Sequence, residues 1–156
     1  MLYFGYGMNT NTAGMATRCP DARLIGPALI RDWRLAFCHH ADIEEAPGDD
    51  AWGVLWDITE KCLASLDRLE GYPHYYDRTW LPVEFNGDRD WALVYIMNRP
   101  LDDYKEPGQG YWDCLVEGYA ENDLPEEQLH AARHRVDVKK YYDFNDLDYV
   151  ARLQQY

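Results

Sequence analysis

Basic residues are scarce in this chain: 15 Lys and Arg stand against 28 Asp and Glu, a formal charge of −13 at pH 7. Such a surface repels a phosphate backbone and anionic lipid, which argues against nucleic-acid and membrane partners. No apolar run approaches membrane-spanning length, and no basic segment followed by an apolar core marks an export route. A soluble, cytoplasmic protein is the expectation. Cysteine is sparse too. Cys19, Cys38, Cys62 and Cys114 are far apart, with no Cys-x-x-Cys pair, and read as reduced core residues. The G-x-x-x-x-G-K phosphate loop is missing, and Ser65 has no G-x-S-x-G elbow around it. His130 and His134 are spaced i, i+4, but no H-E-x-x-H pattern joins them, and Arg133 and Arg135 crowd them with positive charge. No metal and no cofactor is expected.

What the chain does have is aromatic side chains: 13 tyrosines and six tryptophans among 156 residues that are 47% hydrophobic. Residues 1–156 are enough for one domain with a real core. Tyrosine carries an apolar body and a polar tip, so clusters of it line clefts and interfaces.

Periodicity predicts the elements. Leu2 to Phe4 reads as a first strand, and Arg23 to Ile30 as extended chain broken at Gly26-Pro27. Asp32 to Cys38 alternates Trp33, Leu35 and Phe37 with polar or small residues, a half-buried strand. The acidic run His39 to Asp50 reads as a turn-rich mobile loop, and Ala51 to Asp57 as strand again. Thr59 and Glu60 open a helix with Leu63, Leu66 and Leu69 on one stripe; Gly71 and Pro73 end it. Thr79–Phe85 and Trp91–Met97 form a hairpin across Asn86-Gly87. Two helices follow, Tyr111 to Glu121 and Pro125 to Arg135. In the tail, Leu147, Val150 and Leu153 recur at helical spacing. Strands precede and separate helices without strict alternation, so the fold class is α+β with a mixed or antiparallel sheet. The aromatic tail packs either on its own domain or on a second copy in a homodimer.

Two segments carry chemistry. In Tyr3-Phe4-Gly5-Tyr6-Gly7-Met8-Asn9 a strand runs into a turn with two glycines, which frees backbone N–H groups to face a ligand. Asn9 to Thr12 can cap a short helix after it. The segment is an anion or carbonyl cradle, or simply a first strand with a tight turn. The second segment is Leu66-Asp-Arg-Leu-Glu-Gly-Tyr72. Glu70 falls at the last position of a helix, facing the negative end of its dipole, with Tyr72, Tyr75 and Tyr76 close behind. Both influences raise a carboxylate pKa toward the value a general acid/base needs. The alternative is a solvated Glu at a frayed helix end, paired with Arg68 or Arg78.

In order along about residues 2–130, Y-F-G-Y-G-M-N, W-G-V-L-W, L-D-R-L-E-G-Y, Y-W-D-C-L and G-Y-A-E-N-D-L-P resemble the γ-glutamylcyclotransferase family. The resemblance implies a small mixed β-barrel or strongly curved sheet flanked by helices. It implies an enzyme that cyclises a γ-glutamyl amine or peptide to 5-oxoproline without a cofactor. Carried over, Tyr3, Phe4, Gly5, Tyr6, Gly7, Met8 and Asn9 hold the small-molecule γ-glutamyl substrate, Tyr95 and Tyr111 are pocket tyrosines, and Glu70 is the acid/base. The family's turn is Y-G-S-N; here Met8 replaces the serine. That departure keeps open a non-catalytic module that binds a small ligand on the same fold.

Overall fold

The computed structural model describes the backbone of residues 1–153 and the side chains of residues 1–141. β1 (Leu2–Gly5) leads through a 3-10 turn, Met8–Thr10, into α1 (Thr12–Arg18). Then come β2 (Arg23–Cys38), β3 (His40–Asp57), α2 (Glu60–Leu69), β4 (Tyr76–Phe85), β5 (Asp88–Met97), α3 (Gln109–Glu121) and α4 (Glu127–Leu153). The strands close into a barrel in the order β1-β3-β2-β4-β5. β1 lies parallel to β5 at Tyr3↔Leu93 and the other pairs are antiparallel, so the sheet is mixed and the fold is the α+β barrel expected. The tail helix extends to Leu153, but the side chains of Tyr142, Phe144, Leu147, Tyr149, Val150 and Leu153 lie outside the described residues.

The local devices are those the residue types require. Asn86 and Gly87 turn the β4–β5 hairpin with φ of 49° and 79°, the left-handed pair of a tight hairpin turn. The Thr59 side chain caps α2 by accepting from the Cys62 N–H at 3.2 Å. Gly53 is demanded by packing: a Cβ there would stand 2.5 Å from the Gly5 carbonyl oxygen and 2.6 Å from the Phe4 ring. β1 can therefore cross β3 only where β3 has no side chain.

Two expectations fail. Residues 39–50 are not a loop; apart from the hairpin tip at His39 they belong to β3, which pairs with β2 from Cys38↔His40 to Arg23↔Asp57. Asp42 and Glu44 look solvated in sequence but are 2% and 8% exposed. Arg99 bonds both, at 2.7 Å to Asp42 Oδ2 and 3.1 Å to Glu44 Oε2, while Arg34 and Tyr104 complete Glu44 at 2.8 and 2.6 Å. Partners so distant in sequence left the acidic run looking unpaired. The helical stripe fails at its end as well. Cys62 and Leu66 are the buried face of α2, whereas Leu69 is 40% exposed.

The four cysteines are free thiols; Cys19, Cys38 and Cys62 are buried. Among the described residues no helix is long and apolar enough to cross a membrane, and no group of three His, Cys, Asp or Glu gathers for a metal. His130 faces Glu126 at 3.3 Å and packs on the Trp112 ring.

Candidate active site

β1 ends at Gly5, and the site occupies the space beyond it. Val54 of β3 pairs with Gly5, while Ala41 of the same strand approaches Gly7. Thirteen residues of straight strand would separate those contacts by about 40 Å. β3 must therefore bend, and it does so where the β2 pairing shifts between Arg31 and Trp33, opposite Gly48 with φ 89°. The bent strand closes over the barrel mouth. There Asp42 Oδ1 accepts the Met97 N–H (2.9 Å), the Tyr76 hydroxyl donates to the Ala41 carbonyl (2.7 Å), and the Tyr6 hydroxyl donates to the Tyr95 carbonyl (2.5 Å).

The glycine turn is held by its carbonyls. Tyr6 O accepts from the Tyr119 hydroxyl, Gly7 O from the Thr10 N–H and hydroxyl, and Met8 O from the Asn11 N–H and Arg18. Asn9 O accepts from the Trp56 indole and Thr10 O from the Asn122 amide. Five successive carbonyls are thus engaged by protein, which fixes the peptide planes of the turn. Gly7 is required by proximity: a Cβ would lie 3.0 Å from both Ala41 Cβ and the Tyr111 hydroxyl. Gly118 lets α3 approach the turn, since a Cβ there would sit 2.4 Å from Thr10 Oγ1.

A cleft of about 190 Å³ opens between this turn and the end of α2, with Glu70 in its wall. Glu70 is the C-cap residue of α2, followed by Gly71 in the left-handed region at φ 62°. Its Oε1 accepts from Asn9 Nδ2 at 3.2 Å, and the same amide donates to the Tyr3 hydroxyl at 2.8 Å. Asn9 Oδ1 in turn accepts from Arg18 Nε at 3.0 Å. Burial pushes the Glu70 pKa from 4.5 up to about 7, against the opposing pull of the Arg18 charge and the Asn9 hydrogen bond. The surface pairing is excluded: Arg78 binds Asp67 through two contacts of 2.8 and 2.9 Å, and Arg68 lies against Ser65.

Tyr3, Tyr6, Gly7, Met8, Asn9, Tyr95 and Tyr111 line the cleft beside Glu70. Phe4 and Gly5 do not. Phe4 is fully buried in the barrel core, and Gly5 closes against Asn9, where a Cβ would meet the Asn9 Cβ at 3.2 Å. The tyrosines also differ in role. The hydroxyls of Tyr6, Tyr76 and Tyr95 are donated to protein acceptors, that of Tyr95 to Asp67 at 2.6 Å, so these residues offer ring surface. Tyr3 and Tyr111 accept instead, from Asn9 and from the Ala41 N–H at 2.9 Å, and keep a proton to donate. Burial, with the Glu70 charge adding to it, holds both phenols well above their ordinary pKa, so they stay neutral.

His40, Ala41, Leu69, Tyr75 and Tyr76 complete the lining and were not assigned to it from sequence. Tyr75 and Tyr76 had a signal in their place just after Glu70. His40 and Ala41 had none, because they lay in the segment taken for a loop.

Residues 3–114 match the family described as "Gamma-glutamyl cyclotransferase, AIG2-like". The chain is 35% identical to γ-glutamylcyclotransferase of Homo sapiens and 29% identical to that of Bos taurus, over 81% of this chain and 73% of each relative. A solved γ-glutamyl cyclotransferase superposes with a TM-score of 0.74 at 26% identity, covering 90% of this chain and 98% of that one. The match spans both the glycine turn and the Glu70 segment, and the chain belongs to the AIG2-like γ-glutamyl cyclotransferase family.

Proposed function

We propose that the protein is a γ-glutamyl cyclotransferase that converts a γ-glutamyl amine or peptide into 5-oxoproline and a free amine; its similarity to proteins named γ-glutamylcyclotransferase supports the reading. One observation carries this reading: a carboxylate with its pKa raised to about 7 lies in an aromatic cleft against the glycine turn. The protein acts as one domain, on a small molecule in the cytoplasm, with no nucleic-acid partner.

The substrate contains its own nucleophile. In a γ-glutamyl amide the α-amine is positioned to close a five-membered ring on the γ-carbonyl, so holding it in the reactive conformer removes most of the entropic barrier. Glu70 takes a proton from the α-ammonium of the substrate. Its raised pKa narrows the gap between base and donor relative to an ordinary carboxylate. The amine nitrogen then bonds to the γ-carbon, and the carbonyl electrons move onto oxygen. Donors on the turn, with the Tyr3 and Tyr111 hydroxyls, stabilise that oxyanion or hold the α-carboxylate. As the carbonyl reforms, the γ-carbon–nitrogen bond breaks, Glu70 returns its proton to the leaving nitrogen, and the ring nitrogen gives up its second proton, so that a neutral lactam forms and the amine departs as an ammonium. No water is consumed.

The test is 5-oxoproline release from γ-glutamyl compounds by the wild type and by Glu70→Gln, which keeps an acceptor for Asn9. Turnover should fall by roughly 10²–10⁴-fold, the usual worth of a general acid/base. Binding without turnover in the wild type, equally tight in Glu70→Gln, would instead identify a ligand-sequestering module, with Met8 as the feature that favours it.

A further inference from the structure

Glu70 stands at the end of a helix whose last turn is poorly anchored by apolar packing. Leu66 is the last fully buried side chain of α2, and Leu69 beyond it is 40% exposed. Backbone bonds close the turn: the Tyr72 N–H donates to the Asp67 carbonyl at 2.9 Å and the Gly71 N–H to the Arg68 carbonyl at 3.4 Å, the pattern of a glycine-terminated helix. Those bonds shape the helix end but do not seat it on the barrel. Seating falls to polar side chains, and Asn9 reaches Glu70 from one side only.

Asp67 supplies the other side. Its Oδ1 accepts the Tyr95 hydroxyl at 2.6 Å, and Arg78 Nη1 donates to its two oxygens at 2.9 and 2.8 Å. Tyr95 and Arg78 face each other across β4 and β5, so one carboxylate spans a cross-strand pair. The Arg78 guanidinium also lies over the Tyr72 ring, 4.3 Å from its centroid. Arg78 therefore grips the chain on both sides of Glu70, at Asp67 before it and at Tyr72 after it. Tyr95 carries the same anchor to the cleft floor: its ring meets Tyr3 edge-on at 5.9 Å, and its carbonyl accepts from Tyr6.

Resting on the proposed cyclisation, we infer that Asp67 and Arg78 are positioning residues for Glu70, pinning the last turn of α2 to the β4–β5 hairpin so that the acid/base faces the glycine turn. Neither residue lines the cleft, so both act through Glu70. Asp67 precedes Glu70 by three residues, which makes the two neighbours on the helix surface. With the pair broken, the turn is free to swing outward and Glu70 leaves Asn9 for water. A displacement of about 1 Å in such a group can cost roughly 10²-fold in rate.

Asp67→Ala and Arg78→Met test this together, because they change charge in opposite senses. Acting through charge alone, the first would lower the Glu70 pKa and the second would raise it. Acting through position, both admit water to Glu70 and bring its titration down from about 7 toward 4.5, by at least about one unit. The readout is an NMR titration of the Glu70 carboxyl carbon, its resonance assigned with Glu70→Gln. With γ-glutamylglycine as substrate, kcat should fall at least roughly tenfold in both variants while KM stays within about threefold. Asp67→Asn keeps an oxygen for Tyr95 and Arg78 and should retain kcat within about threefold of the wild type. Opposite shifts, no shift in either variant, or an asparagine variant as impaired as the alanine one would each overturn the positioning role. If Asp67→Ala does not fold, Arg78→Met decides alone, since a downward shift there runs against its charge. The titration needs no turnover; absence of 5-oxoproline from the wild type would sink the cyclisation and not the anchoring of Glu70.

Discussion

Replacing Glu70 by glutamine should make the protein more stable, and only at high pH. In the folded state burial raises the Glu70 pKa from its ordinary 4.5 to about 7. Between those values the native protein holds a proton that the unfolded chain has released. Stability from this group is therefore present below about pH 4.5 and lost as pH rises toward 7. At about 1.4 kcal/mol per tenfold change in proton affinity, ionised Glu70 costs the native state about 3 kcal/mol by pH 8. Residual solvent contact at the cleft wall makes this an upper figure. Glutamine has nearly the same shape, keeps an oxygen for the Asn9 amide, and carries no charge. The assay is urea unfolding of both proteins from pH 4.5 to 8, compared at constant m. The difference should be near zero at the acid end and grow to about 2–3 kcal/mol in favour of Glu70→Gln above pH 7. A constant difference, or a glutamine variant that is less stable at pH 8, would refute the buried-carboxylate account.

Other perturbations follow from the same contacts. Arg18→Met removes a charge that favours ionised Glu70, so the acidic limb of kcat/KM against pH should move upward by up to about one unit; a limb that stays put removes Arg18 from the site's electrostatics. Gly7→Ala places a methyl 3.0 Å from the Tyr111 hydroxyl and Ala41 Cβ, and steady-state kinetics should show a loss of kcat/KM of tenfold or more, in a protein whose circular dichroism is unchanged. Arg99→Met leaves Asp42 and Glu44 buried without their shared cation; chemical denaturation should report a loss of about 3–5 kcal/mol, and a loss below 1 kcal/mol would show that Arg34 and Tyr104 suffice.

The parts of the fold legible in sequence are those written in local patterns. The Asn86-Gly87 hairpin, the Thr59 cap and the Glu70-Gly71 helix stop each depend on residues within a few positions of one another, and each stands where expected. The first half of β3 was illegible because what makes it a strand is remote. Arg99 lies 57 positions from Asp42, and Tyr104 lies 60 from Glu44. Acidic residues without those partners read as a solvated loop. The same error hid His40 and Ala41 from the cleft. Phe4 illustrates the opposite failure. Residues of a short motif were carried into the site as a block, although alternation along a strand must turn every second side chain to the other face. Tyr3 reaches the cleft, Phe4 fills the barrel, and Leu69, taken for core, reaches the rim.

The glycine turn and the carboxylate come from segments 61 residues apart, yet one side chain binds them together. Asn9 donates to Glu70 and to Tyr3, accepts from Arg18, and through its carbonyl accepts from Trp56. Each bond fixes a different element: α2, β1, α1 and β3. Its side chain is buried, so every one of these groups loses water when the barrel closes, and none can be abandoned without leaving a buried polar atom unpaired. That constraint explains why a carboxylate can be kept at a helix C-terminus, where both burial and the dipole oppose its charge. Asn9 and Arg18 return part of what burial removes, bringing Glu70 to about 7 rather than higher. A base in that range is half-ionised near neutrality, able to take a proton from an ammonium and give it back to a leaving amine. The balance depends on the turn being in place, so folding of the N-terminal motif and tuning of the acid/base are one event.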